Sequence, residues 1–287
     1  MTAGFVVHEY VSLRAATYRV RVCGPAEAPL VILLHGFFGA ADDFAATERR
    51  LCAHFRCAAV DLLGHGRSDA PTDPDRYALS ETAADLAALL DHFGRAAAAV
   101  VGYSLGGRSA LAFAVHFPER VQSLVLESAS PGLASAADRA LRRAHDGELA
   151  GRLAANGIAG EVDRWENQAL FATQRDLPAE VRALQRDVRL RQRPHGLANS
   201  LRGAGTGAQI SYWDKLDGLS CPSLLVTGDR DEKFSSIAQQ MASLLPHCER
   251  ARCADAGHNV HLERPDWHAR RTLEFLLRTA RRETRRV

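Results

Sequence analysis

The sequence lacks the features that mark a membrane-spanning or disulfide-bonded protein. Its apolar runs, such as Leu30–Leu34 and Ala96–Val101, are far too short to span a bilayer. Met1 to Tyr10 has no basic stretch followed by an apolar one, so a secretory signal is not expected and a cytoplasmic location is. The six cysteines (Cys23, Cys52, Cys57, Cys221, Cys248 and Cys253) show no C-x-x-C pair and no metal-ligand spacing. Free thiols in a reducing compartment are the simplest expectation, and no metal or organic cofactor is called for. Charge of one sign is missing too. A formal net charge of +2 gives no basic face for nucleic acid. The arginine-rich stretch from Arg278 to Val287 reads as a solvated helix end. There is no internal repeat and no low-complexity linker, and nothing sets an oligomeric state.

What is present is an ordinary globular composition, 46% hydrophobic and 24% charged over 287 residues, enough to bury a large core. Short apolar runs alternate with longer amphipathic ones. Strands are expected at Ala16–Val22, Leu30–His35, Ala58–Leu62, Ala97–Gly102, Val121–Glu127, Ser223–Gly228 and Glu249–Cys253, after small antiparallel strands at the N-terminus. Helices are expected at Asp42–His54, Ser80–Phe93, Leu105–Phe117, Ser235–Leu245 and Pro265–Arg281. Several strands are apolar throughout, as in a parallel sheet covered on both faces. The fold class is therefore α/β, a mostly parallel doubly wound sheet. From Ala134 to Gly207 no strand is visible, so residues 134–207 are expected to form a helical cap inserted after the sixth strand. The core is then residues 1–133 and 208–287. Ligands of such sheets bind at the carboxyl ends of the strands, beneath an insertion of this kind.

Gly102-Tyr103-Ser104-Leu105-Gly106 is a G-x-S-x-G sequence between an apolar strand and a helix. The glycines allow a strained turn that lifts the Ser104 hydroxyl clear of the sheet, over the positive end of a helix. A serine hydroxyl needs a base, and the base an orienting acid. Both are found past later strand ends, in Gly228-Asp229-Arg230-Asp231 and in Gly257-His258. Asp231 is preferred to Asp229 because the chain must complete its turn before an acid reaches the histidine. His258 is preferred to His261 and to His268, which falls within a helical pattern. His35-Gly36-Phe37 occupies the place of an oxyanion loop, with the N–H groups of Phe37 and Leu105 as donors. The His35 ring is expected to hold that loop. Asp61 to Ser68 reads as a structural loop, with His65 inside it.

Arg108 lies one helical turn beyond Ser104. A guanidinium so deep needs either an internal carboxylate or an anionic ligand. The cap brings Arg139, Arg142, Arg143, Arg189, Arg191 and Arg202, of which only one or two need point inward. Trp165 and Phe171 could supply apolar walls.

These segments resemble a known family. Gly102 to Arg108, Glu127-Ser128-Ala129-Ser130-Pro131-Gly132-Leu133, Trp165-Glu166-Asn167 and Leu170-Phe171-Ala172 are similar to the 2-succinyl-6-hydroxy-2,4-cyclohexadiene-1-carboxylate synthases of menaquinone biosynthesis, in the α/β-hydrolase superfamily. So are Leu197 to Gly203, Gly228 to Phe234 and Gly257 to Glu263. The resemblance implies a lyase that eliminates pyruvate from a small tricarboxylate, with no cofactor. It implies a triad of Ser104, Asp231 and His258, with Ser104 taking a ring-carbon proton rather than carrying an acyl group. Arg108, Arg142, Arg191, Tyr103 and Trp165 would bind substrate, with Arg142 following the Pro-Gly-Leu segment and Arg191 five residues before Gly196. The alternatives are a carboxylesterase or carbon–carbon-bond hydrolase acting on a small anion, or a binding protein without catalysis, which would be unaffected by Ser104→Ala.

Overall fold

The computed structural model describes residues 6–283, with side-chain surroundings through residue 280. The first five residues and residues 284–287 of the arginine-rich stretch lie outside the described residues. Within that stretch, Arg278 pairs with Glu249 at 2.8 Å.

The chain runs through β1 (Val7–Leu13), β2 (Ala16–Cys23), β3 (Leu30–Leu34), α1 (Ala45–Leu51), β4 (Arg56–Val60), α2 (Leu79–His92), β5 (Ala98–Tyr103), α3 (Leu105–His116) and β6 (Val121–Glu127). Four helices follow without a strand: α4 (Ala136–Asn156), α5 (Ala159–Glu166), α6 (Ala179–Leu190) and α7 (Pro194–Ala204). The core resumes with β7 (Ser223–Gly228), α8 (Glu232–Ala242), β8 (Cys248–Cys253), the single turn α9 (Val260–Glu263) and α10 (Pro265–Glu283). The eight strands form one sheet in the order β1-β2-β4-β3-β5-β6-β7-β8. β1 and β2 are antiparallel and β2 meets β4 antiparallel, while every pairing from β4 to β8 is parallel. This is the doubly wound sheet with a helical cap after the sixth strand that the alternation implied.

Period-two alternation decides which side chains meet which layer. On β3, Leu30, Ile32 and Leu34 enter one apolar core, and Val31 and Leu33 enter the other. All five are essentially inaccessible, and each such side chain contributes about 1.5–3 kcal/mol on burial. The cap has a third core of its own, in which Leu149, Leu153, Val162 and Leu197 close around Phe38 from the loop after β3. At one anchor point, backbone touches backbone. A Cβ on Gly196 at the start of α7 would strike the Gly64 carbonyl, and one on Gly64 the Gly196 carbonyl. Gly64 also has φ +79°. Among the described residues no helix is long and apolar enough to cross a membrane.

Most boundaries fall within one or two residues of expectation, and three of the differences have a local reason. β4 stops at Val60 rather than Leu62 because the next groups are captured outside the sheet ladder. Leu62 N–H donates to His35 Nε2 at 3.0 Å, and the buried Asp61 carboxylate accepts the N–H groups of Ala41 and Arg67. The helix expected from Asp42 is split into a 3₁₀ turn, Ala41–Phe44, and α1. α8 starts three residues before Ser235 because Asp231 caps it, accepting Phe234 N–H at 3.1 Å.

Candidate active site

β5 ends at Tyr103 and α3 begins at Leu105, which leaves Ser104 alone to reverse the chain. It does so at φ 50°, ψ −108°, a conformation that few side chains adopt. Gly102 and Gly106 make the turn possible: a Cβ on the first would strike the Gly106 carbonyl, and one on the second the Leu34 carbonyl. Ser104 N–H stays tied to the sheet by donating to Glu127 O at 2.9 Å. The hydroxyl therefore stands at the head of α3, whose first N–H groups have no acceptor within the helix.

Asp231 uses its two carboxylate oxygens differently. Oδ1 caps α8, while Oδ2 lies 2.7 Å from His258 Nδ1. Facing a carboxylate, Nδ1 carries the proton, so Nε2 is left as the acceptor toward Ser104 Oγ at 3.4 Å. That distance is long, as serine sites often are before ligand arrives. The rings of Phe234, Tyr103 and Phe171 surround His258 at centroid distances of 4.5, 5.5 and 6.0 Å. Asp229, the alternative acid, makes no hydrogen bond to His258; its N–H donates to Cys253 O and its Oδ1 is buried without a partner among the described residues.

Two glutamates brace the turn that carries His258. Glu263 accepts Gly257 N–H at 2.7 Å, and Glu127 accepts both the backbone N–H and the Nδ1–H of His261 at 3.0 and 2.9 Å. His268 Nε2 lies 3.2 Å from the same Glu127 carboxylate, and its Nδ1 lies 3.1 Å from Thr47 Oγ1. The two imidazoles hold the Glu127 carboxyl well below the usual range against the effect of burial, and Glu127 holds His261 above its own. His261 and His268 therefore belong to this buried cluster rather than to Ser104. The sequence showed Glu127 as the end of an apolar strand and the start of a family-like segment, and nothing local pointed to a partner 134 residues away.

His35 has the structural place expected of it. Its Nδ1–H donates to Gly36 O at 2.7 Å while Nε2 accepts Leu62 N–H. His65 is fully buried, with burial pushing it down to about 3, and it does not line the cavity. Phe37 and Leu105 line the cavity at Ser104, and the N–H of neither donates to another backbone carbonyl among the described residues.

Ser104 and His258 open into a cavity of about 610 Å³ between the sheet edge and the cap. Trp165, Phe37 and Tyr103 wall it, and Trp165 packs on both Phe37 and Phe171 at 5.3 Å. Four cations line it, Arg108, Arg142, Arg189 and Lys233, against two carboxylates, Asp43 and Asp146. Arg108 Nη1 donates to Ala204 O at 2.7 Å and to Gln209 Oε1 at 3.0 Å, and no carboxylate pairs with it among the described residues. Burial, with Arg142 nearby, pushes its guanidinium down to about 10, so it remains a cation at neutral pH. Arg142 Nε is held by Asp146 at 2.7 Å.

Arg191 needs correction. It is exposed, pairs with Asp187 at 3.1 Å and does not reach the cavity. The inward arginine of α6 is Arg189, buried and held by Glu166 at 2.9 Å and Gln174 at 3.2 Å. The other cap arginines turn away. Arg139 binds the Leu133 and Ala134 carbonyls, Arg143 the Gly207 carbonyl and Arg202 the Asn199 side chain. Among the described residues no three His, Cys, Asp or Glu side chains group as a metal site.

A strained serine between strand and helix, a histidine and acid on later strand ends, and a helical cap define the α/β-hydrolase class. A family model of the alpha/beta hydrolase fold matches residues 29–265. Within that class, the chain is 39% identical over 90% of its length to a Bacillus subtilis (strain 168) protein provisionally named 2-succinyl-6-hydroxy-2,4-cyclohexadiene-1-carboxylate synthase, covering 94% of it. It is 32% identical to the synthase of that name from Serratia proteamaculans (strain 568), over 88% of this chain and 95% of that one. The solved structure of MenH from S. aureus superposes with a TM-score of 0.87 at 31% identity, covering 92% of this chain and 98% of that one. The chain belongs to the 2-succinyl-6-hydroxy-2,4-cyclohexadiene-1-carboxylate synthase family.

Proposed function

We propose that the protein is a lyase of menaquinone biosynthesis, which eliminates pyruvate from 2-succinyl-5-enolpyruvyl-6-hydroxy-3-cyclohexene-1-carboxylate to give 2-succinyl-6-hydroxy-2,4-cyclohexadiene-1-carboxylate. The observation that carries this is Arg108, a half-buried cation without a carboxylate partner among the described residues, in the cavity of Ser104. A simple ester pocket has no use for it, whereas a tricarboxylate does. Arg142, Arg189 and Lys233 offer charge for the remaining carboxylates, and Trp165 and Tyr103 offer surface for the ring.

The names of substrate and product fix the bond changes. The proton on ring carbon 2, next to the succinyl ketone, is removed. Its electron pair forms the 2,3 double bond, the 3,4 double bond moves to 4,5, and the carbon–oxygen bond to the enolpyruvyl group breaks. Ser104 Oγ, relieved of its proton by His258 Nε2, is the base. Asp231 holds His258 in the required tautomer and stabilises the imidazolium. The Phe37 and Leu105 N–H groups take the charge that develops on the ketone oxygen. The imidazolium returns a proton to the leaving enolate, which becomes pyruvate.

In this reading residues 134–207 serve as the cap that closes the cavity, and the reaction belongs in the cytoplasm. The six free cysteines support that setting. Intact-mass measurement during turnover tests the role of Ser104: the mass is expected to stay that of the free protein. An adduct accumulating on Ser104 would instead mean nucleophilic hydrolysis.

A further inference from the structure

A second cavity, of about 320 Å³, lies in the cap next to the first. The two share a wall, since Phe171, Gln185 and Arg189 line both. The rim of the second is exposed and carries Arg175 and Arg182, whose guanidinium groups have no partner among the described residues. Gln174, only 8% exposed, lines the same cavity. Its Oε1 accepts from Arg189, and its Nε2 is buried with no acceptor. Because a guanidinium can only donate, Arg189 fixes which end of the amide faces it, so the unsatisfied group is the NH₂. The carboxylate of this cavity is already neutralised, with Glu166 Oε1 on Arg189 and Oε2 on Arg186. What remains in this cavity is two unpaired cations and one unpaired donor, beside the arginine that also lines the active cavity. Carboxylate oxygen is the chemistry that satisfies all three.

We propose that this second cavity is an anion port, which captures a carboxylate of the incoming substrate on Arg175 and Arg182 and presents it to Arg189. The port rests on the reading of the active cavity as a polycarboxylate site. A recess lined by one sign of charge raises the local concentration and on-rate of an opposite charge, and salt cancels the effect.

Two measurements test it. The first compares steady-state kinetics of R175S/R182S with the wild type and with R250S/R270S, which removes two exposed arginines from β8 and α10. At low ionic strength kcat/KM of R175S/R182S is expected to fall about tenfold with kcat unchanged, the gap closing at high salt, while R250S/R270S matches the wild type. Equal kcat/KM for all three at every ionic strength overturns the port. So does an equal loss in both double variants, which reports net charge alone. The second measurement needs no turnover. Crystals of the wild-type protein soaked in sodium succinate are expected to show a carboxylate among Arg175, Arg182 and Gln174 Nε2, and an empty second cavity overturns the port. A wild-type enzyme that releases no pyruvate would sink the lyase reading and leave the soak to decide the port.

Discussion

The backbone N–H of Arg108 donates to the carbonyl of Ser104 at 2.9 Å, which places the cation one helical turn beyond the hydroxyl on the wall of the same cavity. Hydrogen bonds to charged groups contribute about 1.5–3 kcal/mol. Arg108→Gln is therefore expected to lower kcat/KM by about 10- to 100-fold. Arg108→Lys recovers only part of this, because an ammonium cannot grip a carboxylate in parallel. Steady-state kinetics on the enolpyruvyl substrate checks both, and an unchanged kcat/KM in Arg108→Gln would place the carboxylates elsewhere.

Arg108 also sets an alkaline limit. With its guanidinium pushed down to about 10, the cation is present below that pH and lost above it. Competitive inhibition by succinate is expected to weaken as pH rises through about 10. Arg108→Gln removes that limb of the profile. An identical alkaline limb in the variant would assign it to another group.

Arg189 and Arg191 make opposite predictions although they are two residues apart. Arg189 is buried on the cavity wall, and Arg191 is exposed on Asp187. Arg191→Ser is expected to leave KM within about twofold, since exposed ion pairs contribute about 0–1 kcal/mol. Arg189→Ser raises KM and leaves Glu166 with only Arg186. Kinetics on the two variants side by side distinguishes the assignments, and a larger effect at Arg191 would reverse them.

The Glu127 cluster predicts a stability profile. Glu127 is depressed in the folded state, so its contribution is present above the ordinary carboxylate pKa and is lost as pH falls through the folded value. His261 is raised, so its contribution is complete below the ordinary histidine pKa and is lost as pH rises through the raised value. Their joint stabilisation is greatest between about pH 4.3 and 6.5. Glu127→Gln, which leaves two buried imidazoles without their anion, is expected to cost about 3–5 kcal/mol in that window. Urea unfolding across pH 4 to 9 measures it. A variant with wild-type stability throughout would show the pair to be dispensable.

How much of this was legible in the sequence follows from how local each signal is. The turn at Ser104 is written in contiguous residues, with glycines where a Cβ would strike backbone, so it reads directly. β3 and β5 read equally well because they are apolar throughout. The direction of a cap arginine is different. Two residues along a helix rotate a side chain by about 200°, so choosing between Arg189 and Arg191 requires knowing how α6 is turned, which only packing decides. The end of β4 does not read from its own residues, because His35 and Ala41, which engage Leu62 and Asp61, come from the loop after β3. Glu127 sits in a segment that the family resemblance includes, yet its histidines arrive from α9 and α10. Gln174, with one end on Arg189 and the other unsatisfied, left no sequence signal.

The central claim is that Ser104, facing cations rather than an ester pocket, drives an elimination. Supplied with 2-succinyl-5-enolpyruvyl-6-hydroxy-3-cyclohexene-1-carboxylate, the purified protein is predicted to release one pyruvate for each conjugated diene formed. Ser104→Ala is predicted to slow that release by about 10²- to 10⁴-fold. Release no faster than in buffer, or an equal rate in Ser104→Ala, would contradict it.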